Sequence, residues 1–131
     1  MTDYTILMVD DDADYAAAVS SYLEANGCRV LLAQNGREGL KLAKLERPDL
    51  IIMDIMMEER TEGFFTVREI RHTEGLESVP IFVLSSLYED VPDFKVAPAK
   101  GWLAHDQFLR KPVHLPELLE KIRQFLNRGA K

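Results

Sequence analysis

The chain has 131 residues and a formal net charge of −6, with 47% hydrophobic and 29% charged residues. A length like this fits one domain burying roughly 68% of its unfolded surface, and the composition is that of a folded, soluble chain. The negative balance argues against nucleic acid or an anionic membrane as a direct partner. No apolar run reaches the ~18 residues of a membrane span, and Met1-Thr2-Asp3-Tyr4 does not open a secretory leader. A lone cysteine, Cys28, leaves no internal disulfide to form and fits a reducing cytoplasm.

In chain order, Ile6-Leu7-Met8-Val9 predicts a strand that runs into Asp10-Asp11-Asp12. Asp12 is suited to cap a helix over residues 13–26, with Tyr15, Val19, Tyr22 and Leu23 on one face and Gly27 as its stop. Val30-Leu31-Leu32-Ala33 predicts a second strand. Asn35 then caps a second helix that brings Leu40, Leu42 and Leu45 near the core before Pro48 limits it. Leu50-Ile51-Ile52-Met53 predicts a third strand ending at Asp54, and Phe64, Val67 and Ile70 mark a third helix ending near Gly75. Ile81-Phe82-Val83-Leu84 leads into Ser85-Ser86, and the weaker run Gln107-Phe108-Leu109-Arg110 leads into Lys111-Pro112. A last helix carries Leu118, Ile122, Phe125 and Leu126, with Pro116 in its first turn and Asn127 to Lys131 after it.

The four strong runs are continuous in their apolar character, as parallel strands covered on both faces require. Alternation of strand and helix about five times implies a right-handed, doubly wound α/β sheet. One segment breaks the rhythm. Residues 87–105 contain Pro92 and Pro98, which cannot share one undistorted helix, so a short, shifted or broken helix is expected there.

In a doubly wound sheet, function gathers beyond the carboxyl ends of the strands. The first and third strands end in Asp10, Asp11 and Asp54. Two such carboxylates ~4 Å apart repel by about 4 kcal/mol at an effective dielectric of ~20, a large share of the ~5–15 kcal/mol that holds a domain folded. A cation must offset this, and hard oxygen ligands suit Mg2+ better than zinc or copper. Asp12 reads as a helix cap. Ser85 and Lys111, at the ends of the fourth and fifth strands, supply a hydroxyl and an ammonium suited to phosphoryl oxygens. A carboxylate nucleophile, a divalent ion, a hydroxyl and a lysine are the parts needed for phosphoryl transfer to an aspartate.

Ile6 to Asp12, Pro48 to Met57, Val79 to Ser86 and Phe108 to Pro112 together resemble the receiver domains of two-component response regulators, the CheY-like superfamily. The resemblance spans essentially the whole chain. It implies a flavodoxin-like (β/α)5 fold, a five-stranded parallel sheet in the order 2-1-3-4-5. It further implies that Asp54 is the phospho-acceptor, and that Asp11, the Asp54 carboxylate and the Met56 backbone carbonyl contact Mg2+, with Asp10 acting mainly through metal-bound water. Lys111 would pair with the phosphoryl group, Ser85 would be the switch hydroxyl and Phe108 the switch aromatic. The Lys111–Pro112 bond would be cis.

Two departures stand out. Glu58 occupies the place of a family proline and Gly63 arrives one residue late, so the loop over the acceptor is longer and more acidic. A plain surface insertion and an effect on metal affinity, phosphoryl lifetime or partner choice are both open. Residues 87–105 also run a few residues long, and Trp102 within them suits either a docking aromatic or a buried anchor. His72, His105 and His114 are scattered and read as surface residues, and Cys28 reads as a buried thiol.

The expectation is therefore one receiver domain over residues 1–131 with no output domain, cytoplasmic, catalysing only its own phosphorylation and dephosphorylation. Its donor would be a sensor histidine kinase or phosphotransfer protein, and its target an unidentified protein. The alternative is an interaction module that keeps the fold without phosphorylation. A phosphatase acting on external esters would need a substrate cap, and no insertion supplies one.

Overall fold

The apolar runs form five strands: β1 (Tyr4–Val9), β2 (Cys28–Ala33), β3 (Leu50–Asp54), β4 (Ile81–Ser85) and β5 (Gln107–Arg110). They come from a computed structural model that describes residues 4–54, 62–85 and 107–129, with side chains at 62–65, 85, 107–108 and 127–129 left aside. All pairings are parallel and the order is β2-β1-β3-β4-β5, as expected. The helices among the described residues are α1 (Ala13–Ala25), α2 (Gly36–Glu46), α3 (Glu62–Arg71) and α4 (Leu115–Gly129).

Strand alternation divides the core into two layers. Leu7, Val9, Ile51, Met53, Ile81 and Val83 face α2 and α3, meeting Ala43, Val67 and Ile70. Ile6, Met8, Leu50, Ile52, Phe82 and Leu84 face α1 and α4, meeting Val19, Leu23, Leu118 and Ile122. Phe82 and Phe125 meet edge to face with ring centroids 5.0 Å apart. Each large side chain so buried contributes about 1.5–3 kcal/mol relative to exposure, which is why β1, β3 and β4 need apolar residues at successive positions. Because β1 lies between β2 and β3, strand order reverses beside it, and the crevice at the carboxyl ends of β1 and β3 is the switch point of the sheet.

The caps fall where the side-chain chemistry placed them. Asp12 Oδ1 accepts the Tyr15 N–H at 3.0 Å and Asn35 Oδ1 accepts the Glu38 N–H at 2.8 Å. Gly27 follows α1 at φ 95°, a left-handed conformation that favours glycine. Pro116 sits in the first turn of α4. Cys28 is buried, while His72 and His114 are exposed.

Four details differ from the sequence reading. Leu45 is 70% exposed and does not turn toward the core. At 100° per residue the buried face of α2 is Gly36, Gly39 and Ala43, which puts Leu45 on the opposite side and leaves Leu40 and Leu42 as flanks. Second, β2 is an edge strand, so its apolar run is not fully covered and Leu32 is 42% exposed. Third, α3 ends at Arg71, because the Thr73 N–H turns back to Ile70 O at 3.0 Å and the chain leaves the helix before Gly75. Fourth, α4 continues through Asn127 to Gly129, since neither Asn127 nor Arg128 breaks a helix. The expected irregular segment 87–105, with Trp102 and His105, lies outside the described residues, as does the Glu58–Glu59–Arg60–Thr61 part of the long loop.

Small residues on the buried face let α2 sit close to the sheet. A Cβ at Gly39 would stand 2.6 Å from Val9 Cγ2, inside van der Waals contact. Gly39→Val is therefore expected to lower unfolding stability by about 1–3 kcal/mol through overpacking, while Leu45→Ala stays within about 0.5 kcal/mol. Urea titration of both variants checks which face of α2 is inward.

Candidate functional site

Strand register brings the reactive residues to one end of the sheet. Val9 pairs with Met53, so Asp10 and Asp54 lie side by side just past that rung. Asp54 is level with Leu84 and Ser85 is level with Arg110, which places Lys111 one residue beyond. The Asp10 N–H extends the β1 ladder by donating to Ala33 O at 2.9 Å, and Asp10 Oδ1 accepts the Asp12 N–H at 2.9 Å. The backbone of the acidic run is thus held before any side-chain charge is considered.

Lys111 Nζ lies 2.9 Å from Asp10 Oδ2 and 3.2 Å from Asp54 Oδ2. The side chains of Asp10 and Asp54 are almost wholly buried and that of Lys111 is 17% exposed. Carboxylate oxygens of Asp10, Asp11 and Asp54 all lie within 4.8 Å of one another, with Asp11 on the solvent side. The lysine is thus the cation that offsets the repulsion between the two buried acids. The Lys111–Pro112 peptide is cis.

The electrostatics follow from burial. Burial raises the Asp10 carboxyl above its ordinary value; Lys111 and the Asp12 N–H pull it back without cancelling the effect, and Asp54 adds to the rise. For Lys111, burial works against the ammonium, but pairing with Asp10 and Asp54 outweighs it and holds the group above its ordinary value. Asp10 Oδ2 is buried and accepts no hydrogen bond of good angle, although Lys111 stands beside it as a counter-charge. A buried, charged oxygen in that position, beside two further carboxylates, fits a hard divalent cation such as Mg2+.

Asp10, Asp11, Asp54 and Lys111 are therefore brought together as the sequence suggested. Ser85 ends β4 and Phe108 lies in β5 opposite Val83, but their side chains lie outside the described residues, and so does Met56. One neighbour escaped sequence reasoning. The Tyr15 ring, assigned to the core face of the first helix, lies under Lys111 Nζ at 4.6 Å from its centroid, and Tyr15 Oη accepts the Val113 N–H at 3.0 Å. An aromatic in the first turn after an acidic run is the sole sequence signal, and a contact across 98 residues does not show in local spacing.

The sequence profile of the response regulator receiver domain matches residues 6–123. The chain belongs to the response-regulator receiver family. It is 38% identical over 94% of its length to the response regulator MprA of Mycolicibacterium vanbaalenii, covering 50% of that protein. It is 35% identical over 97% of its length to the transcriptional regulatory protein AfsQ1 of Streptomyces coelicolor, covering 53% of it. The receiver thus spans about half the length of the curated relatives it matches. Among solved structures it is similar to the chemotaxis protein CheY4 of Vibrio cholerae, with a TM-score of 0.81 and 29% identity, covering 92% of this chain and 96% of that one. No helix among the described residues is long and apolar enough to cross a membrane.

The raised Asp10 carboxyl sets a pH dependence. Its protonated form is favoured in the fold, so the stability it contributes is fully present below its unfolded value of 3.8 and is lost as pH rises through the folded value. Asp10→Asn removes that loss. Without divalent ions the variant is expected to be more stable than the parent near neutral pH by about 1–3 kcal/mol, the usual cost of a poorly satisfied buried polar group. Its stability should also fall less between pH 4 and neutrality, and its stabilisation by added Mg2+ should shrink. Thermal melts across pH, with and without Mg2+, check the sign; a less stable Asp10→Asn at neutral pH would reverse the assignment.

Proposed function

We propose that this receiver takes a phosphoryl group onto Asp54 from a sensor histidine kinase or a phosphotransfer protein and thereby switches a protein-binding surface. One observation carries the reading: Lys111 Nζ bridges Asp10 and Asp54 in a buried pocket whose third carboxylate, Asp11, reaches solvent. Among receivers, a pocket of this make-up suits aspartyl phosphorylation.

In this reading Asp54 attacks phosphorus. The P–N bond of the donor phosphohistidine breaks as an O–P bond forms on the Asp54 carboxylate, and the electron pair returns to the donor imidazole. Lys111 exchanges part of its contact with Asp54 for contact with the arriving phosphoryl oxygens, which is why a strongly held ammonium belongs there. Asp10, Asp11, Asp54 and the Met56 carbonyl would hold Mg2+, which when bound supplies positive charge against the phosphoryl oxygens. The three carboxylates would hold that charge, while Lys111, beside Asp10 and Asp54, would hold phosphoryl oxygens.

Ser85 and Phe108 form the switch in the same reading. Ser85 ends the strand beside β5, and Phe108 lies on β5 two residues before Arg110, the partner of Ser85. A hydroxyl that moves to a phosphoryl oxygen would vacate space for the aromatic, so one covalent event would bias the β4 and β5 ends. The chain would then catalyse only its own phosphorylation and dephosphorylation, with donor and protein target in the cytoplasm.

Incubation with acetyl phosphate and Mg2+, read by intact-protein mass spectrometry, tests this. The expected result is an adduct of ~80 Da, the mass of one phosphoryl group, that is absent from Asp54→Asn and suppressed by chelation of the metal. Phosphorylation of Asp54→Asn to the level of the parent would refute the acceptor, and equal target binding with and without phosphodonor would favour a phosphorylation-independent module.

A further inference from the structure

A lysine ammonium sits on a flexible four-carbon stem, so its resting place depends on what surrounds it. In this pocket two carboxylates draw Lys111 Nζ from the sheet side. The face of Tyr15 covers another side, with the ring centroid 4.6 Å from Nζ. An aromatic face carries partial negative charge and attracts a cation within about 6 Å of its centroid. The ring is anchored at its far end, where Tyr15 Oη accepts the Val113 N–H at 3.0 Å, two residues beyond Lys111. It is anchored at its backbone too, where the Tyr15 N–H donates to Asp12 Oδ1 at 3.0 Å. Asp12 in turn donates its own N–H to Asp10 Oδ1 at 2.9 Å.

These contacts close a circuit from Asp10 through Asp12 and Tyr15 to Lys111 and back to Asp10. We propose that Tyr15 is a positioning residue: its ring face holds the Lys111 ammonium over the acceptor pocket, and its hydroxyl locks the β5–α4 connection to the first turn of α1. A tyrosine that merely fills space between α1 and α4 would need neither the ring over Nζ nor the bond to Val113. The kinetic consequence rests on the phosphoryl-transfer reading above, while the contact itself does not.

Two measurements keep these apart. In proton NMR of the full chain, the Lys111 ε-methylene resonances are expected upfield of ordinary lysine in the parent and in Tyr15→Phe, and at ordinary positions in Tyr15→Leu. In acetyl phosphate kinetics with Mg2+, Tyr15→Leu is expected to slow the saturating phosphorylation rate about threefold to thirtyfold, the range of a partly desolvated cation–π contact. On a Lys111→Ala background the same change should cost nothing further. Should Tyr15→Leu fail to fold, Tyr15→Phe carrying a 3,4,5-trifluorinated ring keeps the shape and weakens the charge on the ring face, and the rate should fall relative to plain Tyr15→Phe. Lys111 resonances that ignore Tyr15→Leu, an equal loss on the Lys111→Ala background, or an unchanged rate on fluorination would each overturn the proposal. If no variant is phosphorylated at all, the transfer reading fails and the NMR result still decides the contact.

Discussion

Two carboxylates buried at the ends of adjacent parallel strands must be neutralised, and the ion pairs of Lys111 with Asp10 and Asp54 do this. Much of the local structure serves that requirement. The acids sit beyond Val9 and Met53 because β1 and β3 pair in register with both faces buried, so a shift of one residue would exchange the side chains of the two packed layers and carry Asp10 and Asp54 out of step. The lysine arrives from two strands away, at the end of β5, and reaches across the crevice. Without the β3–β4–β5 pairings the ammonium would have no defined position against Asp54.

The same arrangement leaves the charges of the pocket unevenly satisfied. Burial raises the Asp10 carboxyl, while pairing with Asp10 and Asp54 outweighs burial at Lys111 and holds its ammonium charged, so the pocket keeps a cation beside a buried, poorly satisfied acid oxygen. A pocket in that state gains from any further positive charge at its mouth, where Asp11 faces solvent. In the proposed reading, the three acids would hold a divalent ion that supplies positive charge, and Lys111 would then be released in part to serve incoming phosphoryl oxygens.

Tyr15 ties this charge balance to a helix. Its hydrogen bonds to Asp12 and Val113 join the first turn of α1 to the connection after β5, across the carboxyl end of the sheet. Among the described residues, Asp10, Asp12, Tyr15 and Lys111 at the crevice therefore constrain one another. Close packing of α2 on Val9 through Gly39 supports β1 from the opposite face and helps to fix where Asp10 emerges.

The sequence by itself determined the doubly wound sheet, its two caps at Asp12 and Asn35, and the acidic group of Asp10, Asp11 and Asp54. These depend on local rules: continuous apolar runs, short polar side chains before helices, and acids at strand ends. The apolar count of α2 misled for Leu45, because several leucines compete for one face and the phase of the helix is set by the close approach of Gly39 to Val9. Exposure of Leu32 depended on β2 being at an edge, which a strand's own residues do not state. Tertiary structure alone decided that Lys111 rests between the two buried acids and over Tyr15, since those contacts join residues far apart in the chain and their energy comes from a shared low-dielectric pocket that exists only after the strands have assembled.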